Sequence, residues 1–323
     1  MTKQDIRIVY MGTPDFAVPT LEGLLNQGYN VVGVVTMPDK AIGRHHEVPQ
    51  QSPVKQCAIA HDIPVLQPEK LRDEEFLEAL KAWNADLQIV VAFRMLPQVV
   101  WGMPRLGTFN LHAALLPQYR GAAPINWAVI NGDKETGLTT FLLDEEIDTG
   151  KIILQERIPI GEGETAGDVH DKLMEMGPAL VCRTVELIAE GAYDAIPQDQ
   201  FMTDEPLRPA PKIFRETCQI CWQQHTVKST YNFIRGLSPY PAAWTNLVNE
   251  DGNETTLKIF KSQPQEETVS DPAGTIETDG RTYMKVALKD GWLHLLEVQL
   301  AGKKRMDISD FLRGAHLEGS YLS

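Results

Sequence analysis

Short apolar runs alternate with stretches of helical periodicity at the start of the chain. The run Ile6–Met11 is rich in β-formers, leucines then recur at helical spacing over 16–27, and a second uninterrupted apolar run follows at Val31–Val35. Continuous runs of this kind are typical of strands that are buried on both faces of a parallel sheet. The pattern therefore predicts a strand–helix–strand unit within the first 35 residues.

The same alternation continues to about residue 190. Further strands are predicted at 87–93, 108–112, 139–143 and 152–160, and helices at 71–83, 124–131 and 169–190. This order predicts a Rossmann-like α/β domain with a mostly parallel sheet over residues 1–190. The first strand-to-helix turn, Gly12-Thr13-Pro14, has one glycine where the dinucleotide fingerprint has three, which argues against an NAD site.

The pattern changes after residue 190. Residues 191–209 carry several prolines and few periodic apolar positions, and they are predicted to form a linker. Short β-rich runs follow at 219–222, 244–248, 256–260, 274–277, 283–288 and 293–300, with one helix at 229–236. This arrangement predicts a small, OB-like C-terminal β-barrel domain over 210–323.

Charge and composition restrict the cellular setting and the partner. The net charge is −14, but the part up to Leu207 holds 16 Lys+Arg and 30 Asp+Glu, whereas the rest holds 14 of each. The neutral last third is thus a candidate nucleic-acid surface. No run of about 18 apolar residues and no signal peptide is present, so we expect a cytoplasmic protein without a membrane partner. Its four cysteines are expected to be reduced thiols.

The densest group of chemically active residues is Asn110, His112 and Asp148. Asn110 and His112 are two apart on a predicted strand, so their side chains leave one face at its carboxyl end. An imidazole could act as a general base, an amide N–H could stabilise an oxyanion, and a carboxylate could orient the imidazole. No G-x-S-x-G motif is present, which favours direct attack of an amine or water on an acyl carbon. A structural histidine and an ordinary Asp-Thr-Gly turn remain the alternatives.

Two metal interpretations are weaker. Asp144, Glu145 and Glu146 precede Asp148, but closely spaced acids more often form a solvated loop. Cys218-x-x-Cys221 lacks the second pair of ligands that a zinc site needs, and its surroundings resemble a strand rather than a redox motif. We therefore predict no metal.

Residues 110–124, Asn-Leu-His-Ala-Ala-Leu-Leu-Pro-Gln-Tyr-Arg-Gly-Ala-Ala-Pro, resemble the signature of the 10-formyltetrahydrofolate-dependent formyltransferases. Further segments resemble that family in the same order, at 12–17, 38–44, 52–55, 147–150, 234–239 and 301–306. The resemblance covers both predicted domains. It implies transfer of a formyl group from 10-formyltetrahydrofolate to the amino group of initiator methionyl-tRNA. Separately, we expect a monomer.

The resemblance also implies a role for each site residue. His112 would act as general base or protonate the departing folate nitrogen, Asn110 would stabilise the oxyanion, and Asp148 would orient His112. The implied folate contacts are Phe93, Arg94, Met95, Leu96 and Pro97, together with Ala114, Leu115, Leu116 and Pro117. The implied tRNA contacts are Arg44, Lys303, Lys304 and Arg305.

The chain departs from the family pattern at four places: Ala114 replaces a serine, the loop at 93–97 is one residue shorter, Glu146 replaces a glycine, and 43–47 has fewer lysines. None of these removes Asn110, His112 or Asp148. Three alternatives remain open: a formyltransferase for an amino-sugar nucleotide, a formyl-folate hydrolase, and a non-catalytic tRNA-binding protein.

Overall fold

The structure, a computed structural model, describes residues 2–41 and 49–323 and divides into two compact units. The first comprises Met1–Gly121, Thr136–Ile158 and His170–Pro209, and the second comprises Ala122–Glu135, Pro159–Val169 and Ala210–Ser323. The second unit thus includes two segments from well upstream of residue 210. The predicted boundaries at 190 and 209 stay predictions.

The first unit is built on a seven-stranded sheet. Its strands and the adjoining hairpin are β1 Arg7–Gly12, β2 Asn30–Val35, β3 Lys40–Ala41, β4 Pro49–Gln50, β5 Val65–Leu66, β6 Leu87–Val91, β7 Thr108–His112, β8 Glu135–Leu142 and β9 Ile152–Pro159. The sheet order is β5-β2-β1-β6-β7-β8-β9, and β3 pairs with β4 separately. Every pair from β5 to β7 is parallel, whereas β7 and β8 are antiparallel. The predicted mostly parallel sheet is confirmed.

The described helices are α1 Val18–Asn26, α2 Pro53–Ala60, α3 Glu74–Ala82, α4 Gln98–Trp101, α5 Pro124–Ile130, α6 Ala166–Glu190, α7 Val227–Leu237 and α8 Ile308–Leu312. Local sequence explains their ends. Helix α3 has Glu74 and Glu75 in its first turn and Lys81 in its last, which complements the helix dipole. Helix α7 begins with a capping box between Thr226 and Ser229. Among the described residues, no helix combines the length and hydropathy needed to cross a membrane.

The order of the sheet contains a topological switch point. Strands β2 and β5 lie on one side of β1, and β6 and β7 lie on the other, so the order of strand addition reverses at β1. The carboxyl ends of parallel strands at such a point are where α/β sheets bind ligands. Gly12 ends β1 there, and a Cβ at this position would lie 2.9 Å from the carbonyl oxygen of Val91 at the end of β6. The two strand ends can therefore approach closely only because residue 12 is glycine.

The second unit contains a nearly closed antiparallel barrel. Its strands are β10 Ala243–Val248, β11 Glu254–Glu266, β12 Ile276–Thr278, β13 Met284–Leu288, β14 Gly291–Leu300, β15 Met306–Asp307 and β16 Tyr321–Leu322, in the order β12-β13-β14-β11-β10-β16. Strand β15 pairs with β14, and a bridge between Thr275 and Tyr321 brings the two ends of the sheet together. Helix α7 packs Val227, Ile234 and Leu237 into the barrel core.

One predicted strand is wrong. Residues 219–222 do not form a strand; a 3-10 helix over Glu216–Cys218 precedes them, and a single bridge joins Gln219 to Trp244. Trp222 is fully buried in the barrel core and donates from its indole N–H to the hydroxyl of Thr245. The apolar run therefore reflects burial of individual side chains rather than sheet pairing.

Candidate active site

Strand β7 carries Asn110 and His112 on one face at the carboxyl end of the parallel sheet. Asn110 lies opposite Val90 of β6 on one side and Phe141 of β8 on the other. Its side chain is half-buried, and its amide forms no hydrogen bond with any residue that the structure describes. His112 ends the strand, is 7% exposed, and meets the ring of Phe141 edge-on. A free amide therefore stands next to a buried imidazole.

The contacts of the His112 ring define its tautomer. Its Nε2 lies 2.9 Å from the carbonyl oxygen of Tyr119. Because a carbonyl can only accept a hydrogen bond, Nε2 carries the hydrogen and the lone pair of the neutral ring is on Nδ1. Nδ1 lies 3.9 Å from Oδ2 of Asp148. That distance is too long for a hydrogen bond but short enough for a strong charge interaction once Nδ1 accepts a proton.

The turn that carries Asp148 is held from several sides. Oδ2 of Asp148 accepts a hydrogen bond from the backbone N–H of Gly121 at 2.9 Å. The hydroxyl of Thr149 donates to Asp144 at 2.8 Å. A Cβ on Gly150 would lie 1.6 Å from the carbonyl oxygen of Leu142, so only glycine fits against the end of β8. The carboxylate is thus aimed at His112 by the backbone around it.

The acidic loop and the cysteine pair do not form a metal site within the described residues. There, no three His, Cys, Asp or Glu side chains are grouped as metal ligands would be. Glu145 and Glu146 are exposed, as the solvated-loop interpretation predicts. Cys218 is buried and donates from its thiol to the carbonyl oxygen of Phe214, whereas Cys221 is exposed.

The loop after β6, which contains the predicted folate contacts Phe93–Pro97, has a mixed apolar and polar surface. Arg94 donates to the carbonyl oxygens of Pro68 and Glu69, and burial lowers the pKa of its guanidinium. Its Nε is buried and has no partner among the described residues. Met95 is 72% exposed, whereas Leu96 packs into the core. The loop therefore combines a buried donor that has no partner there with an accessible apolar side chain.

The second group of predicted folate contacts, Ala114–Pro117, is largely buried. Ala114, Leu116 and Pro117 are buried, and Leu115 is half-buried. The hydroxyl of Thr139 donates to the carbonyl oxygen of Ala114 at 2.6 Å, and Gln155 donates to that of Leu116 at 2.7 Å. Leu115 is therefore the accessible residue of this segment. A serine at position 114 would place its hydroxyl in the core.

Two family patterns match most of the chain. The pattern described as formyl transferase matches residues 6–185, and that of the formyl transferase C-terminal domain matches residues 212–316. The chain belongs to the formyl transferase family. It is 63% identical over 315 residues to a protein of Parabacteroides distasonis named methionyl-tRNA formyltransferase, covering 97% of each chain. It is also 60% identical to the Bacteroides fragilis protein of that name, over 99% of this chain and 98% of the other.

Solved structures share the fold of this formyltransferase at low identity. HypX from Aquifex aeolicus in complex with tetrahydrofolic acid superposes with a TM-score of 0.63 at 18% identity over 97% of this chain, which spans about half (48%) of HypX. WlaRD, a sugar 3N-formyl transferase, superposes with a TM-score of 0.62 at 20% identity, covering 93% of this chain and 99% of WlaRD. These likenesses show the fold alone. The predicted fold class is confirmed.

The predicted tRNA contacts of this formyltransferase differ in their surroundings. Arg44 lies outside the described residues. Lys303 and Lys304 are exposed in the turn after β14 and form no ion pair within the part of the chain that the structure describes. Arg305 instead donates two hydrogen bonds of 2.6 Å to the carboxylate of Glu297 and lies 4.3 Å from the ring centre of Phe260. The turn thus presents two uncompensated cations and one that is paired.

Sequence reasoning missed four groups that contact the site of this formyltransferase. The carbonyl of Tyr119 and the N–H of Gly121 are backbone groups, and no side-chain pattern reveals them. Arg120 stands between them in the family signature, which is the one signal that was available. Gln198 lies in the predicted linker, where nothing in the local sequence points to the site.

Proposed function

We propose that this formyltransferase transfers the formyl group of 10-formyltetrahydrofolate to the amino group of initiator methionyl-tRNA. The observation that carries the proposal is that its 60–63% identity to proteins named methionyl-tRNA formyltransferase extends over 97–99% of the chain, and so includes the second unit. The grouping of Asn110, His112 and Asp148 supports the same chemistry. We further propose that the protein acts in the cytoplasm, as a monomer.

The chemistry follows from the atoms that the site exposes. The amine nitrogen attacks the formyl carbon, a C–N bond forms, and the bond from that carbon to the folate N10 breaks. Nδ1 of His112 accepts the proton that the amine loses and returns it to N10 as the folate leaves. The Asn110 amide donates to the oxyanion that develops on the formyl oxygen. Asp148, 3.9 Å from Nδ1, stabilises the positive charge on the ring between these steps.

The residues present fit a bound folate. A pterin is flat and carries hydrogen-bonding groups along its edge, so it needs polar atoms next to apolar side chains. The exposed Met95 supplies the apolar part at the loop after β6, where the buried Nε of Arg94 is a donor without a partner among the described residues. Phe93, Leu96 and Pro97 complete this proposed contact, and Leu115 of the segment Ala114–Pro117 is proposed to face the folate between the pterin and His112. 10-Formyltetrahydrofolate supplies the formyl carbon.

The second unit is the proposed tRNA-binding part. Its described basic turn offers Lys303 and Lys304 to phosphates, and Arg305 holds the turn through Glu297. Arg44 is proposed to contact tRNA from the first unit. A few exposed cations within residues 208–323, which carry no net charge, provide a salt-sensitive interaction from which the product can be released.

The test is transfer of radiolabelled formyl from the folate donor to methionyl-tRNA by the wild type and by His112→Ala. We expect formyl-methionyl-tRNA from the wild type and a loss of at least about 10²-fold in the variant, because general base catalysis contributes 10²–10⁴-fold. His170→Ala is the matched control, since His170 also faces an aspartate, Asp171, at 3.0 Å but is 39% exposed.

Three other outcomes would each overturn the proposal. Formylation of a dTDP-amino sugar in place of methionyl-tRNA would indicate a sugar formyltransferase, the function in the name of WlaRD. Release of formate without an acceptor would indicate a hydrolase. Binding of tRNA without transfer by the wild type would indicate a non-catalytic protein.

A further inference from the structure

The segment predicted as a linker makes direct contact with the catalytic loops of the first unit. Gln198 begins a 3-10 helix over Gln198–Phe201 and is 4% exposed. Just before it, Ile196 exchanges two backbone hydrogen bonds of 2.8 Å with Ile152, the first residue of β9. The segment therefore lies against the exit of the turn that carries Asp148, and Gln198 is buried there.

Both polar atoms of the Gln198 side chain are fully used. Its Nε2 donates to the carbonyl oxygen of Asp148 at 2.8 Å and to that of Gly150 at 2.9 Å. Its Oε1 accepts from Nε of Arg120 at 3.1 Å and from Nη2 of Arg120 at 2.7 Å. One buried amide thus joins the Asp148 turn to the segment at Arg120.

These bonds join the two segments that contact the ring nitrogens of His112. Arg120 follows Tyr119, whose carbonyl accepts from the imidazole, and precedes Gly121, whose N–H donates to the Asp148 carboxylate. Moving the Asp148 turn would therefore alter the position of the group that faces Nδ1, and moving Tyr119 would alter the group that holds Nε2. The side chain of Gln198 is hydrogen-bonded to both segments, to the Asp148 turn through Nε2 and to Arg120 through Oε1.

The backbone conformations of Asp148 and Tyr119 need stabilising contacts of this kind. Asp148 has φ +56° and Tyr119 has φ +58°, a left-handed conformation that residues other than glycine adopt rarely. Strained positions of this kind persist where the surrounding contacts determine them. The two carbonyls that accept hydrogen bonds from Gln198 belong to Asp148 and Gly150, on either side of Thr149. These hydrogen bonds therefore hold the peptide groups on both sides of the turn.

We infer that Gln198 is a positioning residue for Asp148: it holds the turn so that the carboxylate faces Nδ1 of His112 when the imidazole takes up a proton. The inference rests on the proposed function of His112 as general base. It places part of the catalytic apparatus in the segment that joins the two predicted domains. Arg208 supports the same arrangement, since its carbonyl accepts from the N–H of Tyr119 at 2.7 Å.

The test compares Gln198→Ala and Gln198→Glu with Gln200→Ala, an exposed glutamine of the same 3-10 helix. Gln198→Glu keeps an acceptor for Arg120 but has no N–H for the two carbonyls. A misplaced catalytic group costs up to about 10²-fold, so we expect kcat to fall roughly 10- to 100-fold in both Gln198 variants. KM for both substrates should change less than about twofold, and Gln200→Ala should match the wild type. Thermal unfolding midpoints check that each variant is folded.

A double-mutant cycle with Asp148→Ala separates positioning from a general structural effect. If Gln198 acts through Asp148, adding Gln198→Ala to Asp148→Ala should lower kcat by less than about twofold further. Losses that multiply, a kcat equal to the wild type in Gln198→Glu, or a rise in KM without a fall in kcat would each overturn the inference.

The assay uses whichever acceptor the wild type formylates. Absence of methionyl-tRNA formylation by the wild type therefore tells against the proposed function, whereas an unchanged Gln198 variant tells against the inference alone.

Discussion

The Asp148 turn and the turn at 301–305 both present charge, but they are built in opposite ways. The Asp148 side chain is 14% exposed, and its carboxylate, its carbonyl and the carbonyl of Gly150 all have partners from distant parts of the first unit. The side chains of Lys303 and Lys304 are exposed and form no ion pair among the described residues, whereas Arg305 and a hydrogen bond from Gln299 to the carbonyl of Lys303 join their turn to β14. Proton transfer depends on distances within tenths of an ångström, whereas attraction to phosphates acts over several ångströms and tolerates movement.

The largest effect is expected at the oxyanion. Asn110→Ala should lower kcat by about 10²–10³-fold, because it removes the proposed N–H donor at the developing charge. Steady-state kinetics with saturating formyl donor and methionyl-tRNA would measure it. Asn30→Ala, at the start of β2, is the control and should keep the wild-type rate. A wild-type rate in Asn110→Ala would show that Asn110 takes no part in the mechanism. It would also count against the idea that catalysis requires precise positioning around the Asp148 turn.

A smaller effect is expected at the basic turn. Reversing Lys303 and Lys304 to Glu should weaken tRNA binding about tenfold or more at low salt. The slope of log affinity against log salt should also fall by about two, one for each phosphate that the variant no longer neutralises. Binding of a folate analogue should not change. Lys289→Glu, on another exposed turn of the second unit, is the control. An equal decrease in tRNA and folate affinity would mean that the chain had misfolded, and the comparison would fail.

The smallest effect concerns stability. The two hydrogen bonds from Arg305 hold the pKa of Glu297 below its ordinary value. A carboxyl whose folded pKa is lowered stabilises the folded state above its unfolded pKa, about 4.3, and this contribution is lost as the pH falls through the folded pKa. Because the side chains of Arg305 and Glu297 are 40% and 25% exposed, we expect less than about 1 kcal/mol.

Urea unfolding of the wild type and Glu297→Gln at pH 7 and at pH 3 would measure this contribution. The wild type should be the more stable protein at pH 7, and the difference should shrink at pH 3. Glu318→Gln, at an exposed glutamate of the same unit, should leave stability unchanged at both pH values. A difference between wild type and Glu297→Gln that is independent of pH would show that the pair does not contribute through its charge.

Sequence reasoning predicted elements well where burial is periodic or continuous. The strand at 108–112 has the predicted bounds, and the helix at 229–236 extends by a few residues to Val227–Leu237. It failed at 219–222, where an apolar run marks buried side chains without a neighbouring strand in register. The alternation of apolar and polar positions reports which side chains are buried, and only hydrogen bonding between segments makes a strand.

The sequence by itself determined the order of elements, the family, and the three side chains proposed for catalysis, because each of these depends on local periodicity or on a contiguous motif. Only the tertiary structure decided which nitrogen of His112 is free, how the Asp148 turn is held, and that Arg305 is paired with Glu297. Gln198 is 50 residues from Asp148 and 78 from Arg120 along the chain. Hydrogen bonds over such separations depend on how the chain folds back on itself, and no local pattern encodes them.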